Sequence, residues 1–322
     1  MKLATERTGS PDGRLLVVSR DLTRAAVAPA ATLQAALDDW AATAPRLEDV
    51  YDRLNEGAEP GFAFRPEAMA APLPRAWQWL DGSAFSSHGA LMQRAFNLPP
   101  IETDRPLMYQ GMSHRFLSGT DDVPLPSEAD GIDFEGELGI ITDAVPMGVS
   151  PEEALGHIRL AILINDWSLR TIAPIEMKTG FGWIQAKPAC SVAPVAVTLD
   201  ELGSDWTNGR MALRLAVDLN RRRFGEVPAS GMDYGFNDLV AHAARTRDLC
   251  AGTIIGSGTV SSPDYTNAGS CCIAERRAIE MIEAGAPTTG FMRFGDRVRM
   301  EALTSDGRPV FGLIDQQVVK AV

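Results

Sequence analysis

Cysteine is scarce in this sequence, and its spacing excludes two common ways of holding a chain together. The four cysteines, Cys190, Cys250, Cys271 and Cys272, include no Cys-x-x-Cys pair. This spacing argues against a structural zinc site and against a disulfide framework. We therefore predict a reduced, cytoplasmic protein.

Long apolar runs and an excess of positive charge are also missing. No stretch approaches the ~20 apolar residues that span a bilayer, and residues 1–7 lack the apolar region of a secretory signal. With 30 basic and 42 acidic residues the net charge is −12, which argues against nucleic acid or an anionic membrane as a partner. Gly256-Ser257-Gly258 lacks the third glycine of a dinucleotide-binding motif, and no Walker lysine follows it.

The sequence does contain an acidic motif inside an apolar run, Asp-Phe-Glu-Gly-Glu-Leu-Gly-Ile-Ile at 133–141. The apolar residues and the lack of a helix-starting signal predict a strand. Glu135 and Glu137 would then share one strand face, with about 7 Å between them. Such a pair is either a solvated polar face or a site for a cation, since Mg²⁺ and Ca²⁺ prefer oxygen ligands.

Two segments downstream add an aspartate and a lysine. Residues 160–164, Leu-Ala-Ile-Leu-Ile, predict a buried strand, and Asp166 follows its end, where an aspartate is either a helix cap or a ligand. Lys187 stands in Phe-Gly-Trp-Ile-Gln-Ala-Lys-Pro (181–188). A lone lysine in such apolar surroundings most often extends to the surface. Together, the three carboxylates and the lysine predict a cation site.

Residues 1–72 predict a small N-terminal α/β unit. Asp12-Gly13 predicts a hairpin turn, Thr32 predicts the N-cap of a helix that runs to Trp40, and a second short helix is expected over 46–54. Proline and glycine from 59 to 74 indicate a linker.

From about residue 75 the pattern changes to short strands separated by turn residues. Helices are expected over 151–158, where Ser150 and Glu153 form a capping box, and over 236–245. Many short β segments with few helices argue against a doubly wound dinucleotide fold.

Four motifs in this order make the chain resemble the fumarylacetoacetate hydrolase family. They are Asp-Phe-Glu-Gly-Glu-Leu-Gly (133–139), Asn-Asp-Trp-Ser-Leu-Arg (165–170), Gln-Ala-Lys-Pro (185–188) and Gly-Ser-Gly-Thr-Val-Ser (256–261). The resemblance covers residues 75–312 and is to the bacterial fumarylacetoacetase-like and acylpyruvate hydrolase branch. It implies a mainly β (α+β) fold with few helices. In this fold a mixed β-sandwich roll around a metal site (73–322) follows the small N-terminal domain (1–72).

The resemblance also implies a set of metal ligands. Glu135, Glu137 and Asp166 would bind Mg²⁺, or Mn²⁺ or Ca²⁺ in its place. Asp81 is either a fourth carboxylate, as in the fumarylacetoacetase branch, or a turn aspartate placed before a glycine for local reasons.

Catalytic residues follow from the same resemblance. His88 would be the general base, and Lys187 would hold a developing oxyanion. The family's histidine is paired with a glutamate, either three residues later or from a distant strand. Here the first position is Leu91 and the second falls near Ile273, so Glu275, on the same strand face, is the candidate partner.

Three further residues are candidates for substrate contact. Residues 256–259 form a tight turn that either presents N–H groups and the Thr259 hydroxyl to a substrate carboxylate or needs glycine for its backbone angles. Gln110 stands where related enzymes present a polar residue to the substrate. Arg170 pairs either with a ligand carboxylate or with the substrate.

These residues predict a metal-dependent hydrolase that cleaves a carbon–carbon bond in a 1,3-diketo acid, such as fumarylacetoacetate or an acylpyruvate. A 2-oxo acid decarboxylase, hydratase or isomerase would begin from the same enolate, and the acidic residues do not separate these reactions. A binding protein whose metal site has lost catalysis is a third interpretation. Because related proteins are dimers, the resemblance also implies a homodimer.

Overall fold

The computed structural model describes residues 1–97, 99 and 103–321, and within them most strands belong to two sheets. The strands are β1 (Lys2–Glu6), β2 (Arg14–Val18), β3 (Arg24–Val27), β4 (Phe62–Ala63), β5 (Trp79–Gly82), β6 (Met108–Gln110), β7 (Leu117–Ser118), β8 (Val123–Leu125), β9 (Ile132–Asp133), β10 (Gly136–Thr142), β11 (Ile158–Asn165), β12 (Ser168–Leu169), β13 (Ser191–Val192), β14 (Val195–Thr198), β15 (Trp206–Thr207), β16 (Arg210–Met211), β17 (Arg214–Leu219), β18 (Arg222–Pro228), β19 (Ile254–Gly256), β20 (Arg297–Leu303) and β21 (Ile314–Lys320). The prediction of a mainly β fold is confirmed.

Short helices connect and cover these strands. They are α1 (Leu33–Asp38), α2 (Trp40–Glu56), α3 (Ser86–Phe96), α4 (Pro151–Ala154), α5 (Ala173–Thr179), α6 (Phe236–Ala243), α7 (Tyr265–Ala268) and α8 (Ile273–Ala284). The 3₁₀ turns are Pro66–Ala68, Glu128–Asp130, Leu155–His157, Leu199–Asp205, Ala229–Gly231 and Ala244–Thr246. None of the described helices is long and apolar enough to cross a membrane.

The large sheet runs in the order β4-β3-β2-β1-β14-β11-β10-β19-β5-β6, with β13 and β7 attached beside β11. Asp12-Gly13 lies between β1 and β2, which pair antiparallel as the predicted hairpin requires. β1 also pairs antiparallel with β14, so the sheet continues from the N-terminal strands into the rest of the chain. The division at residues 72 and 73 stays a proposal.

The centre of this sheet is buried on both faces. Every residue of β10 is buried, and so are all but one of the residues of β11. Alternate side chains of β11 enter different apolar clusters, with Leu163 in one and Ile162 in the other. This alternation explains why the run reads as continuously apolar, since a strand covered on both faces needs no polar side.

The other large sheet has the order β18-β17-β20-β21-β8. Its side chains Leu215 and Val217 from β17 and Met300 from β20 lie in the same apolar cluster as Leu163. The two sheets therefore share one core, which is the sandwich arrangement implied by the resemblance.

Local signals were most reliable where a side chain fixes a helix end. The hydroxyl of Thr32 accepts from the N–H of Ala35, and Ser150 and Glu153 form the predicted capping box. The helix predicted over 151–158 is shorter, because Ile158 begins β11 and joins the core. The helix predicted over 46–54 is part of a longer one, α2.

Glu275 lies in the first turn of α8, so its placement on a strand was wrong. The helix starts there because the thiol of Cys272 accepts from the N–H of Glu275 and the carboxylate of Asp133 accepts from those of Ile273 and Ala274. These contacts satisfy backbone donors that a helix start leaves free.

Candidate metal centre and active site

Three carboxylates meet at one end of the central strands. Asp81 lies on β5, Glu137 on β10, and Asp166 directly after β11. β19 pairs with both β5 and β10, and β10 pairs with β11, so neighbouring strands bring these side chains together. One oxygen from each lies within 4.8 Å of the others, and all three residues are buried. Buried carboxylates at this spacing are typical of a divalent cation site.

Glu137 shows most directly that a cation fits here. It is fully buried, and neither of its carboxylate oxygens has a hydrogen-bond partner among the described residues. Burial and the nearby charges of Asp81 and Asp166 raise the pKa of Glu137 well above its ordinary value. Burial and the charge of Asp166 also raise the pKa of Asp81 to about 8. Because a buried, unpartnered carboxylate is costly, a bound divalent ion would stabilise Glu137, and the residues present fit the predicted metal.

Glu135, also predicted as a ligand, lies beside this group and is held by two cationic side chains. Its Oε2 accepts from Nζ of Lys187 at 2.6 Å, and its Oε1 accepts from Nη2 of Arg170 at 2.5 Å. Burial opposes ionisation of Glu135, but the charges of Lys187 and Arg170 outweigh it and hold the pKa well below its usual range. Its part in binding the metal stays a prediction.

Lys187 joins Glu135 to the cluster of Asp81, Glu137 and Asp166. Its Nζ also donates to Oδ2 of Asp166 at 2.6 Å, and this oxygen accepts from the Tyr109 hydroxyl at 2.5 Å. The ammonium lies 5.3 Å from the centre of the Tyr109 ring. Burial alone would lower the pKa of Lys187, but Asp166 and Glu135 raise it well above its ordinary value. Lys187 is therefore a charged donor inside the site rather than a surface lysine.

Arg170 shows the first of its two expected contacts, a pair with carboxylates. Its Nε donates to Oδ2 of Asp133 at 2.8 Å, besides the contact with Glu135. Since Asp133 also binds the start of α8, Arg170 connects the acidic motif to that helix. Contact with the substrate stays a prediction for Arg170.

His88 and Glu275 face each other from the first turns of α3 and α8. Donor or acceptor atoms of His88, Glu275 and Cys272 lie within 4.8 Å of one another. Burial lowers the pKa of His88 to about 4. Burial likewise raises the pKa of Glu275 to about 7, although its Oε1 accepts a hydrogen bond from Ser261 at 2.5 Å. The imidazole is thus neutral at neutral pH, beside an acid that titrates there.

His88 and Glu275 also keep polar atoms free. Nδ1 of His88 and Oε2 of Glu275 are buried and have no hydrogen-bond partner among the described residues. The side chain of His88 is half-buried, so one edge of the ring can meet solvent while Nδ1 is enclosed. A neutral imidazole with a free buried nitrogen can accept a proton.

The remaining substrate candidates lie on two sides of Asp81. Gly258 donates its N–H to Oδ1 of Asp81 at 3.0 Å, and buried Thr259 follows it. The φ of Gly258 is +74°, and a Cβ there would overlap the carbonyl oxygen of Gly82, so the turn requires glycine. Gln110 is exposed and accepts from Arg247 at 3.3 Å. Substrate contact stays a prediction for Thr259 and Gln110.

Sequence reasoning missed several residues that line the site. Tyr109 was not predicted, although it directly precedes Gln110 and Gly111 in the sequence. Cys190 donates its thiol to Oδ1 of Asp166 at 2.8 Å, and Ser261 holds Glu275. No spacing in the sequence indicates these last two contacts, because they join residues far apart in the chain.

Two family models together match most of the chain. The model described as the C-terminal domain of fumarylacetoacetate hydrolase matches residues 78–319. The chain belongs to the fumarylacetoacetate hydrolase family. A model described as fumarylacetoacetase N-terminal domain 2 matches residues 1–75 of this family member.

Curated relatives of this fumarylacetoacetate hydrolase family member are distant. It is 27% identical over 163 residues to a 2,4-didehydro-3-deoxy-L-rhamnonate hydrolase from Sphingomonas sp. (strain SKA58), covering 50% of this chain and 54% of the relative. It is 24% identical to the fumarylacetoacetase of Dictyostelium discoideum, covering 53% of this chain and 48% of that protein. The chain thus spans about half the length of these two relatives.

Solved structures share the whole fold. The maleylpyruvate hydrolase from Sphingobium sp. SYK-6, in complex with manganese(II) and pyruvate, has a TM-score of 0.65 at 16% identity, with 100% of both chains covered. A 5-carboxymethyl-2-hydroxymuconate delta-isomerase from Mycobacterium smegmatis has a TM-score of 0.62 at 16% identity, again with 100% of both covered. Hydrolases and isomerases therefore occur on this scaffold.

Proposed function

We propose that this protein is a divalent-metal-dependent hydrolase that cleaves a carbon–carbon bond in a 1,3-diketo acid, such as fumarylacetoacetate or an acylpyruvate. The observation that carries the proposal is Glu137, which is fully buried with both oxygens unpartnered beside Asp81 and Asp166. The cofactor would be Mg²⁺, with Mn²⁺ or Ca²⁺ as alternatives. Mn²⁺ occurs with pyruvate in the maleylpyruvate hydrolase of the same fold.

Asp81, Glu137 and Asp166 would hold the metal. Glu135 would be a fourth ligand, with Lys187 and Arg170 then held by their other partners, Asp166 and Asp133. When bound, such an ion polarises a carbonyl group and stabilises an enolate. The chain itself supplies a buried site, in which fixed charges act more strongly than in water.

His88 is the proposed general base. Since burial keeps its pKa at about 4, the ring is neutral at neutral pH and can accept a proton from water. Glu275, within 4.8 Å of it, would stabilise the imidazolium that results. This pairing has the form of a base oriented by a second group.

Lys187 would donate to the oxyanion that develops as water adds to the substrate carbonyl. It is held in place by Glu135 and Asp166 and remains charged. One such donor typically contributes ~3 kcal/mol to transition-state stabilisation. Arg170, Thr259 and Gln110 are proposed to contact the carboxylate or the acyl part of the substrate.

A direct test follows the near-UV absorbance of a diketo acid. Purified protein with Mg²⁺ or Mn²⁺ should remove the absorbance of fumarylacetoacetate or acylpyruvates, and Glu137→Gln should not. The matched control is Glu283→Gln, which changes an exposed glutamate on α8. No turnover of any member of such a substrate panel would reject the proposal.

Decarboxylation, hydration or isomerisation of a 2-oxo acid is the second candidate. It is favoured by the isomerase that shares this fold over its full length. Product masses separate these reactions, because hydrolysis gives two fragments, hydration one heavier product, decarboxylation one lighter product, and isomerisation no change in mass.

A homodimer is proposed on separate grounds. Large apolar side chains are exposed on and after α5, among them Phe181, Ile184, Ile175 and Met177. Large exposed apolar side chains gathered in one segment commonly mark an interface. Light scattering coupled to size exclusion should give twice the 34.7 kDa chain mass; a monomer would contradict it. Cytoplasmic location stays a prediction from the sequence.

A further inference from the structure

A cavity separate from the carboxylate site lies against the first strands of the chain. Its volume is about 470 Å³, within the ~300–1,000 Å³ typical of small-molecule sites. None of the residues that line it belongs to the candidate active site. Its charged side chains are Lys2, Arg20, Arg24, Arg308 and Asp21, so positive charge dominates.

Lys2 forms the inner wall of this cavity. It is only 4% exposed, and its Nζ donates to the carbonyl oxygen of Val310 at 3.3 Å. An ammonium group has three donors, so one long contact leaves most of its capacity unused. Burial lowers the pKa of Lys2, and the carboxylate of Glu201 opposes this. That carboxylate is already engaged by the Tyr51 hydroxyl and the N-terminal amine.

The two neighbouring arginines keep their charge unneutralised. Arg24 donates to the backbone carbonyl oxygens of Glu59 at 2.9 Å and of Leu54 at 3.5 Å. Arg20 is exposed at the cavity mouth, with its guanidinium 5.6 Å from the centre of the Tyr51 ring. Carbonyl groups and aromatic rings orient a guanidinium without cancelling its charge.

The acidic side chains nearby are held by partners other than these cations. Oδ1 of Asp21 accepts from the hydroxyls of Ser19 and Thr23 at 2.6 and 2.8 Å, which holds it within its own turn. Arg308 is paired with Asp306 at 2.8 Å on the exposed side. Within the described residues, Lys2, Arg20 and Arg24 take part in no ion pair with a carboxylate.

We propose that this cavity is a binding site for the oxyanion group of a small metabolite, a phosphate or a carboxylate, with Lys2 at its inner wall and Arg20 at its mouth. A lysine buried with unused donors is costly unless an anion pairs with it. A guanidinium offers the paired N–H groups that both oxyanions accept. The site is independent of the proposed hydrolase activity.

The test measures thermal unfolding of the 322-residue protein, freed of metal on a chelating resin. Sodium phosphate and sodium succinate are titrated separately, each against sodium chloride at equal ionic strength, since a ligand that binds only the folded state raises Tm. We expect a saturable rise in Tm for at least one oxyanion. A rise in Tm with phosphate alone would indicate a phosphorylated ligand, and a rise with succinate alone would indicate a carboxylic acid.

Two variants locate the binding. Lys2→Met keeps the apolar stem and should weaken the apparent affinity for the oxyanion about tenfold. Arg20→Gln, at the cavity mouth, should also weaken this affinity. Lys320→Met, the same change at an exposed lysine, should leave the titration unchanged. If neither oxyanion exceeds chloride, or if Lys2→Met and Arg20→Gln both retain the full response, the proposal is wrong.

Discussion

Lys187 and Asp166 form a buried ion pair, with Nζ 2.6 Å from Oδ2. Tyr109 donates to the same oxygen, and Cys190 donates to the other one. Asp166 therefore receives three donors on its two oxygens, whereas Glu137 receives none among the described residues. Two carboxylates of the same cluster thus differ sharply in how many hydrogen bonds stabilise them.

Replacing Lys187 with methionine should destabilise the metal-free protein by ~3–5 kcal/mol, because Glu135 and Asp166 would lose their shared cation while still buried. Urea unfolding in EDTA measures this, and added Mg²⁺ should restore part of the loss. Lys178→Met, at an exposed position on α5, is the control. Equal stability of the two variants would show that the ion pairs of Lys187 contribute nothing to the free energy of unfolding.

Glu137→Gln should have the opposite effect on the metal-free protein. It replaces a buried, unpartnered carboxyl group, whose ionisation burial opposes, with a neutral group of the same shape, so we expect a gain of about 1–3 kcal/mol in the free energy of unfolding. The rise in Tm that we expect Mg²⁺ or Mn²⁺ to cause in the parent protein should be absent in the variant. A variant that still binds metal with unchanged affinity, measured by calorimetry, would place the ion elsewhere.

His88→Ala separates catalysis from metal binding. We expect kcat to fall by ~10²–10⁴, the usual contribution of a general base, while the metal-induced rise in Tm is retained. His114→Ala changes an exposed histidine and should be silent in both measurements. Loss of metal binding in His88→Ala would mean that the residue supports the centre structurally.

Glu275 predicts a pH dependence of stability. Burial raises its pKa from 4.5 to about 7 in the folded state, so the native protein holds an extra proton between these values. Its contribution to stability is fully present below pH ~4.5 and is lost as pH rises through ~7, by up to ~3 kcal/mol.

Glu275→Gln should remove this pH-dependent contribution to the free energy of unfolding. The difference in unfolding free energy between the variant and the parent should therefore grow in favour of the variant from pH 4.5 to 7.5. The contributions of other carboxylates cancel in that difference. The control variant, Glu283→Gln, should show no such trend. A constant difference across the range would indicate that Glu275 is not buried as described.

Much of the fold and part of the site could be predicted from local patterns. The apolar run at 160–164 lies in a strand because a strand covered on both faces has no polar side. Capping at Thr32 and Ser150 was predictable, since it depends on residues three apart. The α8 start at Cys272 was not, because Asp133, far away in the chain, accepts two of the three hydrogen bonds that cap it.

By itself, the sequence determined which side chains carry charge next to buried strands, and its motifs placed the chain in its family. Only the tertiary structure decided their partners: Asp81 meets Glu137 and Asp166 because β5 and β10 both pair with β19. Glu135 is instead held by Lys187 and Arg170. The physical reason is that strand pairing sets distances between residues remote in the chain, whereas residue type and spacing act over one turn or one strand.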